Sequence, residues 1–289
     1  MIRVGVVTVT YRGGDAPAAW ADALHTAAEA ARDTVSLQAV AVDNASGDGT
    51  AARLRGAAPW VDVVESAVNG GFAAGCNAGL DRLVVAEVVA FVNPDVRVDS
   101  SFLSVLADLP WPTSLGARGP LIVGADGKLE QSARGFPRPA TALFGRTSLL
   151  ARLTPRSSAA RQELRADPSA GTYAVDWVSG ACLVTTAAVL ERLGGFDERY
   201  FMYWEDADWC RRAHDAGLRV EYEPRLVAHH AQGSSSRSRR AATIVAFHRS
   251  ALRYWRRHNA SSPASTGLVA AALAARCAVK LAEAGARER

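Results

Sequence analysis

Three carboxylates fall within four positions of the segment MYWEDADWCRR, residues 202–212, directly after an aromatic run. Acids in the first turn of a helix are favoured by its dipole. Asp208 can also pair with an arginine three or four positions later. Beside aromatic surface and acidic neighbours, however, a carboxylate of this group should have a raised pKa. A general base that works near neutral pH needs that property, so the segment predicts either a helix cap or a base.

Three more polar clusters follow apolar runs that are typical of buried strands: Thr10-Tyr11-Arg12, Asp43-Asn44 and Asn93-Pro94-Asp95. The carboxyl ends of parallel strands meet at one edge of a sheet, where ligands bind. A carboxylate such as Asp95 can hold a divalent cation beside a phosphate, because hard cations prefer oxygen ligands. Asp43 could accept hydrogen bonds from a base or a ribose. Either acid alone is more often a turn former, so their convergence carries the prediction.

Two weaker signals lie elsewhere. NGGFAAGCN, residues 69–77, is the glycine-rich start of a helix, where exposed N–H groups suit phosphate. It matches neither the dinucleotide-binding nor the P-loop pattern. His229 and His230 follow a predicted strand over 220–223 and a turn at Pro224. Adjacent side chains on an extended segment point to opposite sides, so one histidine could face a metal site.

The elements that would position these residues alternate between strand and helix patterns. Strands are predicted at 4–10, 37–42, 61–65 and 88–92, and helices at 22–32, 50–55, 73–83, 187–193 and 205–217. This alternation is typical of a doubly wound, mostly parallel sheet with helices on both faces. Residues 177–184 are apolar with an interior glycine, 125–128 form a hairpin-type turn, and the polar stretch 148–170 is expected to be a mobile loop.

The chain of 289 residues is 49% hydrophobic, which is ample for a large core. Its four cysteines form no CxxC motif and are expected to be reduced. The N-terminus lacks the features of a signal peptide. No run is expected to span a membrane, because the longest candidates, 83–92 and 267–282, are short or interrupted by charge.

Charge is unevenly distributed along the chain. Residues 1–235 carry 22 Lys/Arg and 27 Asp/Glu, a net −5, whereas residues 236–289 carry 11 and 2, a net +9. The tail is predicted to form two helices split at 261–263. Its apolar stripe and neighbouring arginines fit an interfacial membrane segment and equally a helix packed on its own domain.

In sequence order, the motifs resemble those of glycosyltransferase family 2, in particular its bacterial rhamnosyltransferase branch. They are VTVTYR, VDNASGDGT, NGGFAAGCNAGL, FVNPDV, WVSGACLV, the long block GGFDERYFMYWEDADWCRRAHDAGLRVEYEP, and HH. The resemblance covers residues 3 to about 235, and the stretch GPLIVGADGKLEQSARGFP adds to it. Within that branch the chain is similar to enzymes that add L-rhamnose to N-acetylglucosaminyl-diphospho-polyprenol.

The resemblance implies a GT-A fold over residues 1–235, with a nucleotide-sugar half (about 1–110) and an acceptor half (about 111–235), followed by a basic amphipathic helical tail over 236–289. Asp206 matches the catalytic base. Asp95 and His229 match metal-proximal positions, with His230 as the alternative, although Asn93 replaces the first acid of the family's DxD motif. The nucleotide-sugar set is Thr10, Tyr11, Arg12, Asp43, Asn44, Asn69, Phe72, Asn77, Asn93 and Asp95, and the acceptor set is Trp177, Ser179, Gly180, Tyr203, Trp204 and Glu205.

What the resemblance implies about activity is an inverting, Mg²⁺- or Mn²⁺-dependent transfer, with L-rhamnose from dTDP-L-rhamnose as the preferred donor and a lipid-linked sugar as acceptor. The residues themselves do not distinguish this donor from UDP-galactofuranose or UDP-GlcNAc. The tail would meet an anionic membrane on its cytoplasmic face. No nucleic-acid partner is expected, and a homodimer is left open. The alternatives are a soluble or polysaccharide acceptor, or a non-catalytic nucleotide-sugar-binding protein.

Overall fold

The computed structural model describes residues 1–136, 166–231 and 240–287. Most of the loop predicted over 148–170 lies outside the described residues. The strands are β1 (Ile2–Thr10), β2 (Val35–Asp43), β3 (Asp62–Glu65), β4 (Val88–Val92), β5 (Val96–Val98), β6 (Leu115–Gly124), β7 (Ala133–Arg134), β8 (Tyr173–Val175), β9 (Trp177–Val178), β10 (Cys182–Thr186) and β11 (Arg219–His230). The helices are α1 (Ala16–Ala30), α2 (Thr50–Ala57), α3 (Gly71–Leu80), α4 (Phe102–Asp108), α5 (Ala187–Leu193), α6 (Glu205–Asp215), α7 (Arg240–His258) and α8 (Pro263–Arg287).

Strands β3, β2, β1 and β4 lie side by side and pair in parallel, as the alternating pattern predicts. Successive side chains of a strand point to opposite faces, and both faces are covered. Val4 and Val6 of β1 belong to a core cluster with α1 and α4, whereas Val7 and Val9 belong to one with α3 and α6. This two-sided burial explains why the strands are almost entirely apolar.

The remaining strands of the large sheet extend it with mixed pairing. Strand β10 is antiparallel to β4 and to β6, and β11 is parallel to β6 but antiparallel to β5 and β8. The sequence predicted that this strand ends at a turn at Pro224. That prediction is wrong, because β11 continues to His230. Its pairing with β6 is interrupted after Glu223 and resumes at Val227. The irregularity lets one long strand carry the two histidines to the edge where β5 lies.

The C-terminal helices pack on each other and on the body of the protein. Trp255 of α7 lies in a cluster with Leu273 of α8, and Tyr254 is fully buried beside Tyr200. Of the two interpretations of the apolar stripe, packing on its own domain is the one found. The arginines Arg249, Arg253 and Arg256 face outward.

Helix α8 corrects one expectation. Residues Pro263–Ala286 are long and apolar enough to cross a membrane by length and composition, and little of the stretch is buried. The prediction that no segment is long and apolar enough to span a membrane is wrong, because the two charges of Arg276 and Lys280 leave the helix sufficiently apolar. Core helices of soluble proteins pass the same test, so it establishes length and composition only.

Candidate active site

The carboxylate of Asp206 lies at the start of α6, held by two backbone donors. Gly180 N–H donates to Oδ2 at 2.8 Å, and the N–H of Ala207 donates to Oδ1 at 2.8 Å. Burial raises the pKa of Asp206, while the hydrogen bonds from Gly180 and Ala207 and the positive charge of Arg134 act in the opposite direction. The result is a fixed carboxylate with a raised pKa, a combination suited to a general base.

The backbone is strained next to Asp206 and at the ends of β1 and β2. Within the described ranges, the non-glycine residues with positive φ are Arg12, Ala45, Tyr203 and Trp204, at 53°, 60°, 68° and 71°. Such conformations are costly and cluster at functional sites. All four lie in the loops that the motif analysis assigns to substrate. No sequence signal reveals them, because none of these residue types favours the left-handed region.

Asp206 and Asp95 lie on the same rim, connected by a short chain of contacts. Gly180, which binds Asp206, precedes Ala181, whose carbonyl accepts a hydrogen bond from Asn93 N–H at 2.9 Å. Asp95 follows two residues later, after the end of β4. The charge of Asp95 also contributes to the raised pKa of Tyr203, three residues before Asp206. This chain of contacts links the end of β4 to the turn that binds Asp206.

The histidine beside Asp95 is His230, not His229. Nε2 of His230 lies 3.4 Å from Oδ1 of Asp95, and Nδ1 lies 3.0 Å from Oε2 of Glu130. These two carboxylates raise the pKa of His230 to about 9. His229 is exposed and points to the other side of β11, where its charge acts on Asp99. The assignment of His229 as the metal-proximal residue is therefore corrected to His230.

The ends of β1 and β2 form a connected pair of loops. Thr10 is the register partner of Asp43. Ser46 donates a very short hydrogen bond to Asp43, and its Oγ accepts from the backbone N–H of Arg12 at 2.8 Å. The guanidinium of Arg12 lies 5.7 Å from the ring centroid of Tyr11. This arrangement keeps the predicted base- and ribose-binding residues together in one place.

The glycine-rich start of α3 is not available to phosphate. The N–H groups of Gly70, Gly71 and Phe72 donate to Asn44 Oδ1, Asn69 Oδ1 and the carbonyl of Phe201, at 3.1, 3.0 and 2.7 Å. The prediction of a phosphate site at this helix is therefore wrong. Asn44 and Asn69 serve instead to hold the loop.

Asn77, also predicted to bind the nucleotide, is committed within the fold. Its Nδ2 donates to the carbonyl of Phe196 and to Oε1 of Glu198, both at 2.9 Å, and its Oδ1 accepts from Phe196 N–H. The side chain ties α3 to the segment before α6, and its assignment to the nucleotide is corrected.

The predicted acceptor residues divide into surface and interior groups. Trp177 and Ser179 are half-buried, and the Trp177 indole N–H donates to the carbonyl of Gly135 at 3.0 Å. Tyr203 is exposed. Trp204 packs against Phe247 and Tyr254 of α7, with ring centroids 5.7 and 5.2 Å away, so its ring is turned from the rim toward the tail.

Glu205 is buried, and its Oε2 has no hydrogen-bond partner among the described residues. Burial and the neighbouring charge of Asp206 raise its pKa well above the usual value. Glu205 is therefore placed beneath the rim as a neutral group, and its assignment as a sugar contact is corrected.

Asp208 has a role that sequence analysis captured only in part. Besides the predicted i+4 partner Arg212 at 3.1 Å, it accepts from Tyr200 at 3.2 Å and contacts His258 of α7 at 2.7 Å and Arg257 at 3.3 Å. Asp208 is 0% exposed. Partners about 50 positions away leave no local signal, so the anchor between α6 and α7 could not be read from spacing.

The residues present suit a divalent cation only with help from substrate. No cluster of three or more His, Cys, Asp or Glu that could hold a metal occurs within 1–136, 166–231 and 240–287. The side chain of Asp95 is nevertheless 19% exposed beside His230. One or two carboxylates suffice when phosphates supply the other ligands, so the donor set fits a metal bound together with a nucleoside diphosphate.

Comparison with known proteins agrees with this geometry. No family model matches the chain. N-acetylglucosaminyl-diphospho-decaprenol L-rhamnosyltransferase of Mycobacterium tuberculosis is 33% identical over 261 residues, which cover 85% of this chain and 81% of that protein. Rhamnosyltransferase WbbL of Escherichia coli is 41% identical over 64 residues, 22% of this chain and 24% of that protein.

Solved structures with the same fold include S. aureus TarS, with a TM-score of 0.54, 16% identity and coverage of 94% of this chain and 70% of that one. Mannosyltransferase PcManGT from Pyrobaculum calidifontis, in complex with GDP-Man and Mn²⁺, has a TM-score of 0.53 and 21% identity, and the match covers 98% of this chain and 75% of that one. At this identity they establish the GT-A fold. The identity to the mycobacterial relative, together with its coverage, establishes more: the chain belongs to the bacterial rhamnosyltransferase branch of glycosyltransferase family 2 and is a glycosyltransferase.

Proposed function

We propose that this glycosyltransferase moves L-rhamnose from dTDP-L-rhamnose to a lipid-linked N-acetylglucosamine by a single inverting displacement. The observation that carries the proposal is the position of Asp206, fixed by Gly180 on the same rim as Asp95. The name of the mycobacterial relative supports the choice of sugar and acceptor.

Asp206 acts as the base. One carboxylate oxygen accepts the proton of the acceptor hydroxyl. The hydroxyl oxygen of the acceptor bonds to the anomeric carbon of the donor as it loses that proton. The bond from the anomeric carbon to the diphosphate breaks at the same time, and attack from the opposite face inverts the configuration. The hydrogen bonds from Gly180 and Ala207 hold the carboxylate in place, so little reorganisation is needed at the transition state.

Asp95, with His230 beside it, would hold Mg²⁺ or Mn²⁺ against the diphosphate. Such a cation stabilises the negative charge that develops on the leaving group. The strand-end residues Thr10, Tyr11 and Asp43 would bind the nucleoside. Mn²⁺ in the complex of PcManGT supports a divalent metal for this fold.

A lipid-linked acceptor places the reaction at the cytoplasmic face of a membrane. The net charge of +9 over residues 236–289 and the exposed apolar surface of α8 support binding to an anionic bilayer. Co-sedimentation with phosphatidylglycerol vesicles that weakens with salt is expected. Absence of binding would favour the alternative, a soluble or polysaccharide acceptor on the same fold.

The experiment that tests the proposed reaction is a transfer assay with the full chain. Its donors are dTDP-L-rhamnose, UDP-galactofuranose and UDP-GlcNAc, and its acceptors are N-acetylglucosaminyl-diphospho-polyprenol and free N-acetylglucosamine. We expect rhamnosyl transfer to the lipid acceptor. Efficient transfer of another sugar would contradict the donor assignment, and equal rates with free N-acetylglucosamine would contradict the acceptor assignment.

A further inference from the structure

A groove of about 1260 Å³ separates the C-terminal helices from the segment that leads into α6. Its walls come from α7, from Leu281 of α8 and from the stretch between Arg199 and Phe201. Ser250 of α7 donates a hydrogen bond to the carbonyl of Met202 at 2.9 Å, which fixes the helix against this stretch. The groove therefore adjoins the strained turn that positions the base.

The groove is lined by cations and by no acid among the described residues. Arg199 and Arg257 both bind Asp197, at 2.6 and 2.5 Å. Arg249, Arg253 and Arg256 lie three or four positions apart on one stripe of α7 and are exposed. Within 1–136, 166–231 and 240–287 they form no ion pair with an acid, although Arg253 lies over the ring of Tyr200 at 6.0 Å. Guanidinium groups are suited to bidentate binding of phosphate oxygens.

The remaining wall of the groove is apolar. Val245, Leu252 and Leu281 line it together with three alanines, and Phe201 is 44% exposed beside them. Exposed apolar side chains beside a cluster of arginines are complementary to a molecule with a phosphate head and a hydrocarbon chain. A free nucleotide would leave the apolar wall in water, and a neutral lipid would leave the three arginines without a counter-charge.

We propose that this groove binds the diphosphate and the first isoprene units of a prenyl diphosphate, the lipid part of the acceptor. The inference rests on the proposed function and adds to it the position of the lipid. The carbonyl of Phe201, at the inner end of the groove, accepts from the N–H of Phe72 at 2.7 Å. The ring of Phe72 lies 3.6 Å from the position that a Cβ of Gly180 would occupy, so contacts connect the groove to the turn that binds Asp206.

Isothermal titration of the full chain with geranylgeranyl diphosphate, without any donor, tests the binding directly. The triple variant R249A/R253A/R256A is expected to bind at least about tenfold more weakly, whereas the charge-matched control R32A/R55A/R82A stays within about twofold of wild type. Val245→Gln should weaken the binding of geranylgeranyl diphosphate and leave the binding of inorganic pyrophosphate unchanged.

Equal loss in the two triple variants, or binding of pyrophosphate as tight as that of the lipid, would overturn the proposal. Displacement of the probe by phosphatidylglycerol at matched phosphate concentration would also overturn it, because the site would then be a general headgroup site. If geranylgeranyl diphosphate binds in an arginine-dependent way but no rhamnose is transferred, the lipid site is supported and the proposed function is refuted. If rhamnose is transferred but binding does not depend on the arginines, the proposed function is supported and the lipid site is refuted.

Discussion

The backbone N–H of Gly180 donates a hydrogen bond to Oδ2 of Asp206 at 2.8 Å, and a Cβ at position 180 would lie 3.4 Å from that side chain. This contact joins the turn between β9 and β10 to the first turn of α6. Residues that are 26 positions apart thereby form one rim. The following expectations depend on that rim and on the contacts that hold it.

The rate of transfer should fall as pH decreases, because the base must be ionised. Burial raises the pKa of Asp206, so activity is present above that pKa and is lost as pH falls through it. Arg134 lowers the same pKa by its charge, and Arg134→Gln should therefore move the acidic limb of the pH profile of kcat/KM to higher pH. Lys128→Gln removes an equal charge from the exposed hairpin and should leave the limb in place. An unmoved limb in R134Q would contradict the assignment of the limb to Asp206.

Asp208→Asn should destabilise the protein far more than a neighbouring surface change. The substitution removes the negative charge and one of the two carboxylate oxygens that Arg212 and His258 contact, at a cost of roughly 2–4 kcal/mol. Asp215→Asn, on the same helix and paired with Arg211 at the surface, should change the free energy of unfolding by no more than about 0.5 kcal/mol. Urea denaturation measures both. Similar midpoints for the two variants would show that Asp208 does not anchor α7.

Gly71→Ala should disrupt the site. Gly71 has φ +88°, and a Cβ would lie 2.1 Å from the carbonyl oxygen of Phe201. The substitution should cost at least about 2 kcal/mol and reduce transfer, because the segment before α6 must move. Gly56→Ala, in a helix with no atom near its Cβ position, should be neutral or stabilising by about 0.5–1 kcal/mol. Thermal unfolding and initial rates of transfer check the pair, and wild-type values for G71A would contradict the described contact.

Metal-dependent donor binding should require Asp95. Mn²⁺ together with dTDP-L-rhamnose is expected to raise the melting temperature above the value with donor alone, because both bind only the folded state. Asp95→Asn should abolish the part of this rise in melting temperature that depends on Mn²⁺. His229→Ala should retain it, since that ring faces away from Asp95, whereas His230→Ala should reduce it. Loss of the shift in H229A but not in H230A would reverse the correction made from the structure.

The regular elements of the fold were predictable because their causes are local. Helix α5 has the predicted bounds, since the Thr186 side chain accepts from the N–H of Val189 and Gly194 ends the helix. Strand β4 likewise has the predicted bounds, since an apolar run meets Asn93-Pro94. The parallel pairing of β1 with β2 and with β4, which brings the ends of these strands to one edge of the sheet, also followed from the alternating pattern.

The parts that the sequence did not predict depend on long-range partners. Alternation places His229 and His230 on opposite sides of β11, but only the pairing with β5 and β6 decides which of them faces Asp95. The hydrogen bond of the Phe72 N–H was not predictable, because its acceptor, the carbonyl of Phe201, is about 130 positions away in the chain. The division of the chain at residue 235 stays a prediction.

The central claim is that Asp206 is the base of a glycosyl transfer, and Asp206→Asn tests it most directly. The substitution keeps the shape of the side chain and removes its basicity. The account predicts that kcat falls by about 10²–10⁴, while the donor- and Mn²⁺-dependent rise in melting temperature stays at the wild-type value. Transfer at a near wild-type rate in D206N, with D215N as the matched control, would contradict it.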